Sequence, residues 1–330
     1  MSLISWSHQY PDWLYPGVQR LPQDTPETPP FPGTSYPLSW KKPHSWLKVG
    51  RDLRAFDLVI IVVVASVQAP AYLAMLSARG KAGGRVLALC HNVLPHERRF
   101  FDAPLTRAVL RRVDSVLVHS EAQVEVVRSL VQTRVECADI PPHLPARPKP
   151  GHAKPEYGAK RRLLFFGLIR QYKGLDVLLR ALAKTPDVSL TVAGEFWGDV
   201  ELYQSLLTEL GLRERVTLLG GYVPSAQITE LFASADALVL PYRSGTATQN
   251  ILLAHAHGLP VIATRVAAMA RYVRDELDGL LCRPDDVDDL ARAIQRFYAP
   301  GVAQGLYAHV PPVTGNEGWE TYLDVLLARR

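Results

Sequence analysis

Cysteine is scarce in this sequence: Cys90, Cys137 and Cys282 are spread over 330 residues. That excludes a disulfide-stapled scaffold and a cysteine-rich zinc site, and the expectation is a reducing compartment. Long apolar runs are missing too. The longest, Leu58 to Ala65, has eight residues, against the roughly 20 that a membrane-spanning helix needs. No basic segment followed by an apolar core opens the chain, so no secretory signal is read there. Basic stretches interleaved with aromatics are also lacking, which argues against a nucleic-acid partner.

What is present is material for buried cores. Apolar residues make up 48% of the chain and charged residues 21%, and the length suits two ordinary domains. The charge is unevenly divided. Residues 1–150 carry 18 basic and 12 acidic side chains, net +6, whereas residues 151–330 carry 19 and 20, net −1. An anionic partner is therefore expected on the first half.

Prolines and aromatics crowd residues 10–50, which predicts an extended surface loop with some packed rings. From Asp57 the pattern changes. The β-branched run Asp57 to Ala65 predicts a strand buried on both faces. Helices are predicted over 69–79, 103–112 and 121–131, with strands over 85–90 and 113–119 and a short one ending near Cys137. Residues 139–160 are dense in proline and read as a linker. A second series then predicts strands near 162–167, 188–193, 215–219, 236–241, 260–263 and 279–282. Between them fall helices over 174–184, 200–210, 225–233, 248–257, 267–276 and 287–298. A helical segment over 318–330 stands alone at the end. Alternating strands and helices predict α/β domains with mainly parallel, doubly wound sheets. The divisions are a first domain over 1–138, the linker, a second domain over 161–316 and the terminal segment 317–330.

Ligands of such sheets gather at the C-terminal ends of strands, so the segments leaving strands carry the candidates. Leu163 to Phe166 runs into Gly167, followed by Arg170, Lys173 and then a helix. Two cations at a helix N-terminus suit a diphosphate; a solvated turn is the plain alternative. A second strand ends in Gly194-Glu195, where glycine lets backbone approach a ligand. A third segment, Pro241 to Thr264, enters a helix near Thr248-Gln249-Asn250, with Thr248 also readable as an ordinary N-cap. His255 and His257 do not share a helix face, and no metal ligands are read. In the first domain a strand runs into His91-Asn92, followed closely by Glu97. Histidine suits proton transfer or hydrogen bonding near neutral pH, and a structural role is the alternative. Ser120 reads as a helix N-cap.

Taken together these segments resemble the family 4 (group 1) glycosyltransferases, retaining enzymes with two facing Rossmann-like domains, the GT-B fold. The resemblance rests on Gly167, Arg170 and Lys173-Gly174, Gly194-Glu195, Gly220 to Pro224, Ala235 to Pro241, His257 to Thr264, and Asp278 to Pro284, in that order. It implies that the second domain holds a nucleotide-sugar donor, with Arg170 and Lys173 on its diphosphate and the loop at Tyr222 and Val223 on its base. Gly167, Glu195, Thr248, Gln249 and Asn250 complete the implied donor set. The first domain would hold a sugar, lipid-linked or other hydroxyl acceptor, with Asn92 and Glu97 on that side. His91 matches a histidine near the transferred sugar. The terminal helix is expected to return to the first domain. The nucleotide sugar is a co-substrate, and neither cofactor nor metal is expected. Polysaccharide or glycolipid synthesis is the expected setting, in the cytoplasm and peripheral at the inner membrane face. Arg98, Arg99, Arg107, Arg111 and Arg112 form the nearest thing to a basic patch for an anionic membrane, or a solvated helix face.

Two departures stand beside the resemblance. Family members often carry two glutamates with seven residues between them; here those positions are Gly245 and Leu253, and Ala247 to Asn250 looks like a known variant. The usual first strand and glycine-rich loop are also not found, and about 40 residues are expected to be absent. The alternative to an enzyme is a truncated or non-catalytic nucleotide-sugar-binding relative acting as a partner subunit. A nicotinamide-dependent oxidoreductase is disfavoured because no Gly-x-Gly-x-x-Gly follows a predicted strand.

Overall fold

A computed structural model describes residues 1–10, 31–81, 83–95, 99–142, 161–245, 248–313 and 318–327. It groups the chain into two compact units: Met1–Asp139 with Leu323–Arg330, and Ile140–Tyr322.

In the first unit, β1 (Leu3–His8) and β2 (Thr34–Ser39) pair in parallel as a two-stranded sheet. Helix α1 (His44–Asp52) leads to β3 (Leu58–Val63), α2 (Ala69–Arg79), β4 (Arg85–Cys90), α3 (Asp102–Leu110), β5 (Ser115–Val118), α4 (Glu121–Leu130) and β6 (Arg134–Cys137). Strands β3, β4, β5 and β6 form a parallel sheet in chain order. The expected loop over 10–50 is corrected by β2 and α1. Pro37 is tolerated because, among the described residues, β2 bonds to a neighbour on one side only. Pro43 precedes α1, where its missing N–H is no loss. The Trp46 indole fixes the corner by donating to the Ser39 carbonyl at 3.0 Å. Residues 11–30 of that expected loop lie outside the described residues.

The run at Asp57 to Ala65 does form a strand, but burial on both faces is also corrected. Val59, Ile61 and Val63 enter the core, whereas Ile60, Val62 and Val64 are 38–48% exposed. Strand β3 is an edge of its sheet, and among the described residues no strand pairs with its outer side. Among the described residues its second face lacks the helix cover that makes both sides of a parallel strand apolar.

The second unit is built on one six-stranded parallel sheet in the order β12-β11-β10-β7-β8-β9. These are β7 (Arg161–Phe166), β8 (Val188–Gly194), β9 (Val216–Gly220), β10 (Ala237–Leu240), β11 (Val261–Thr264) and β12 (Gly279–Cys282). The helices are α5 (Leu175–Ala183), α6 (Val200–Glu209), α7 (Ser225–Ala233), α8 (Asn250–Ala256), α9 (Ala267–Tyr272), α10 (Val287–Phe297) and α11 (Val302–His309). The heptad-like stripe Leu175, Leu178, Leu179 and Leu182 is fully buried, as its spacing requires. Helix α9 stops short of the predicted residue 276. The buried Asp278 carboxylate accepts the Arg274 N–H at 2.8 Å and diverts the backbone. The last helix, α12 (Trp319–Leu327), ends beside β4, where Arg85 donates to the Leu326 carbonyl at 3.3 Å.

Candidate functional site

Three adjacent parallel strands, β10, β7 and β8, release their chains at the same edge of the second sheet. After β7, Gly167 takes φ +100° and its N–H donates to the Ala193 carbonyl at 2.9 Å, which joins this exit to that of β8. Gly194, at φ +147°, packs so closely that a Cβ there would lie 2.2 Å from the Gly167 carbonyl oxygen. A tight turn, Gln171–Lys173, follows. Gly174 then enters α5 at φ +68°, and a Cβ on it would stand 2.1 Å from the Pro241 carbonyl oxygen. Both positions demand glycine through backbone angle and space together.

The exit of β10 clamps this turn. Arg243 donates in bidentate fashion to Asp176 at 2.8 and 2.7 Å, and also to the Gln171 carbonyl at 2.8 Å. Its own N–H reaches the Tyr172 carbonyl at 2.8 Å. Burial would raise the Asp176 pKa, but the Arg243 hydrogen bonds and charge outweigh it and hold the carboxyl below its usual range. Asp176 is therefore committed to Arg243 and leaves Lys173 unneutralised.

Lys173 is buried, at 8% exposure. A Cβ built on Gly167 would lie 3.7 Å from its Nζ and 3.2 Å from Asn250 Nδ2, so these three residues line one small space. Asn250 is oriented by donating to the Phe166 carbonyl at 2.9 Å. Tyr242 floors the space: the Lys173 ammonium sits 5.3 Å from its ring centre. Its buried hydroxyl faces Thr248 and Asn250, and burial raises its pKa. No ion pair is formed by Lys173 among the described residues. Desolvation, then the nearby Arg170 charge, lower its pKa to about 8. A buried, unneutralised cation beside an open glycine turn and the start of α5 has the electrostatics that suit an anion, which makes this space the candidate site.

The other predicted donor residues distribute as follows. The Arg170 guanidinium lies over the Trp197 ring at 4.6 Å. Glu195 is half-buried and its carbonyl accepts the Ile169 N–H at 2.8 Å. Tyr222 is 57% exposed and Val223 packs at the margin of the core. No hydrogen bond or ion pair among the described residues links the side chains of Glu195, Tyr222 or Val223 to Lys173. Gln249 Nε2 reaches the Ile140 carbonyl at 3.4 Å. The predicted helix start at Thr248 is corrected: α8 begins at Asn250, and the Thr248 hydroxyl accepts the Asn250 N–H at 3.2 Å. Sequence reasoning missed Tyr242 and the Arg243–Asp176 clamp. Their signal was position, directly after the strand-ending Pro241.

In the first unit, β4 ends at Cys90 and delivers His91 and Asn92 at the sheet edge. The buried Gln123 on α4 holds this turn from both sides. Its Nε2 donates to the His91 carbonyl at 3.0 Å and its Oε1 accepts the Val93 N–H at 3.0 Å. The His91 ring stacks on His119 at 5.3 Å. Desolvation lowers the His91 pKa. His119 is also lowered, by desolvation first, against the pull of the Ala138 carbonyl. A neutral His91 at pH 7 donates or accepts a hydrogen bond rather than supplying charge. Asn92 is half-buried, and Glu97 lies outside the described residues. Ser120 does occupy the N-cap position of α4, but its hydroxyl makes no capping bond.

Two units built on parallel sheets with intervening helices, the second doubly wound, make an α/β fold of the GT-B class. Solved structures of that class share it. A sucrose-phosphate synthase from Thermosynechococcus elongatus aligns with TM-score 0.68 at 20% identity over 90% of this chain and 82% of that one. The structure of Anabaena HepE in complex with UDP-glucose aligns with TM-score 0.69 at 18% identity over 84% and 79%. Residues 160–299, within the second unit, match the family model for group 1 glycosyl transferases. A D-inositol 3-phosphate glycosyltransferase of Mycobacterium sp. (strain KMS) is 35% identical over 145 residues, 42% of this chain and 32% of the relative. The chain thus spans about a third of the length of the curated relatives it matches.

Proposed function

We propose that this chain is a retaining glycosyltransferase that moves a sugar from a nucleotide-sugar donor to a hydroxyl acceptor. The observation that carries this reading is Lys173: a buried cation with no ion-pair partner among the described residues, lining a space with Gly167 and Asn250. Breaking a sugar–diphosphate bond develops negative charge on the leaving oxygens. Lys173, Arg170 and the first N–H groups of α5 supply positive charge there before the reaction starts. These cations do the work that a metal ion does at other diphosphate sites, so transfer is expected to be insensitive to chelators. Tyr222 and Val223 are assigned to the base, Glu195, Thr248 and Gln249 to the ribose or sugar, and His91 with Asn92 to the acceptor side. Group 1 relatives, together with the UDP-glucose named in the HepE structure, support a nucleotide sugar as donor. Synthesis of a surface polysaccharide or glycolipid is the proposed setting.

A screen of nucleotide sugars for hydrolysis, paired with calorimetry against nucleoside diphosphates, tests this. Donor hydrolysis that disappears in Lys173→Ala supports the assignment; failure of every nucleoside diphosphate to bind removes it. A second reading has one observation in its favour. Leu253 is 4% exposed in the core and Gly245 has no side chain, so neither position offers a carboxylate. A non-catalytic subunit that binds nucleotide sugar would show binding without hydrolysis in the same screen.

A further inference from the structure

Strands β7 and β8 stay joined past the end of the sheet. The Ile169 N–H donates to the Glu195 carbonyl at 2.8 Å, and the Trp197 N–H donates to the Ile169 carbonyl at 2.9 Å. This pairs Ile169 with Phe196 in parallel. Ile169 is buried in the core, and Phe196 packs against the same core with its ring 5.8 Å from that of Tyr203 on α6. Arg170 is extended, at φ −136° and ψ 157°. One residue further along each segment the side chains fall on the other face, where Arg170 meets Trp197. The Arg170 guanidinium lies over the Trp197 ring, 4.6 Å from its centre, and both residues are half-buried. The Arg170 charge is felt at Lys173, whose pKa it helps to lower. Two cations thus share one neighbourhood, and the electron-rich face of the indole draws one of them against their mutual repulsion.

We propose that Trp197 is a positioning residue for the donor diphosphate: its indole holds the Arg170 guanidinium flat and leaves the N–H edge for phosphate oxygens. The inference rests on the donor site proposed above and adds to it a residue that acts through Arg170. A cation–π contact uses the flat face of the guanidinium, whereas a phosphate uses its edge, so neither consumes the other. An arginine held in this way before the ligand arrives loses less side-chain freedom on binding. Leucine at this position would keep apolar packing but offers no aromatic face, which separates the ring from its bulk.

The test is calorimetry with UDP and with inorganic pyrophosphate. Trp197→Leu should weaken the binding of both about fivefold, and Trp197→Phe, which keeps an aromatic face, by no more than about twofold. In an Arg170→Ala background Trp197→Leu should cost nothing further. Loss of UDP affinity with pyrophosphate unchanged would mean that the ring touches base or sugar itself. Equal losses with and without Arg170 would mean packing alone. Either result overturns the proposal, and so does binding that Lys173→Ala weakens and Trp197→Leu leaves alone, with the donor reading intact. Failure of the unmodified chain to bind either anion removes the donor reading, and this inference with it. An unchanged melting curve checks that the variants are folded. Should Trp197→Leu not fold, NMR of the unmodified chain decides. The Arg170 Nε–H signal, identified by its loss in Arg170→Lys, should be shifted upfield by the indole ring current. A signal at the position of a free arginine side chain overturns the proposal.

Discussion

The two units are made from the same kind of strand and treat it differently. In the second unit β7 lies inside a six-stranded sheet, and Leu163, Leu164 and Phe165 are all fully buried. In the first, β3 is apolar throughout yet alternates buried and exposed residues because, among the described residues, it is a sheet edge with one face uncovered. The lesson is that a β-branched run reports strand formation, while its covering depends on neighbours that the run does not encode. Function follows the same division. The second unit carries a closely packed candidate site on which three strand exits converge; the first presents single residues, such as His91, on a turn held by Gln123.

The comparison breaks most sharply at Gly194. Gly194→Val should cost the second unit about 4 kcal/mol, since both the left-handed angle and the Gly167 carbonyl oppose a side chain. Urea denaturation measures it, and a cost below about 1 kcal/mol would show that the strand exits are not tightly joined. Within the first unit, Ile61→Ala should destabilise by about 3 kcal/mol and Ile60→Thr by no more than about 0.5 kcal/mol. Similar values for the two would mean that the outer face of β3 is covered after all.

Lys173→Ala should weaken nucleoside diphosphate binding by about 1–3 kcal/mol, and Arg170→Ala by a similar or smaller amount. Unchanged calorimetric affinity in both would remove the assigned anion site. The depressed pKa of Lys173 has two opposite consequences. Its folded value of about 8 lies below the ordinary 10.5, so the folded protein binds fewer protons than the unfolded chain between them. The contribution of this residue to stability therefore rises with pH across that window and is unfavourable below it. Diphosphate affinity runs the other way and should fall as pH rises through about 8, because the neutral amine no longer attracts the anion. Lys173→Arg, which stays charged, should flatten that profile. The smallest effect on binding is expected in the first unit: His91→Ala should lower turnover while leaving donor affinity within about twofold, or about 0.4 kcal/mol. A loss of affinity with normal turnover would make His91 a binding residue.

Much of this was legible in the residues. Periodicity located the second series of strands and the buried stripe of α5, because a helix that covers a sheet must repeat apolar residues near every third or fourth position. Glycine followed by two cations marked the turn at Gly167 to Lys173, since backbone angle and charge are local demands. The strand and helix within residues 34–52 were hidden by their prolines, which are harmless at a one-sided strand and ahead of a helix. Tyr242 and Gln123 were hidden for a different reason. Each acts through a residue distant in sequence, and spacing along the chain holds no trace of such contacts.

By itself, then, the sequence determined the alternation of strands and helices, the glycines that permit tight strand exits, and the cations available at them. Those properties depend on a residue and its near neighbours. Only the tertiary structure decided that Asp176 is taken by Arg243, leaving Lys173 buried and unneutralised beside Gly167 and Asn250. It also decided that, among the described residues, one face of β3 is left exposed. Pairing and burial are set by which parts of the chain meet in space, and a charge acquires its chemistry from what is, or is not, packed against it.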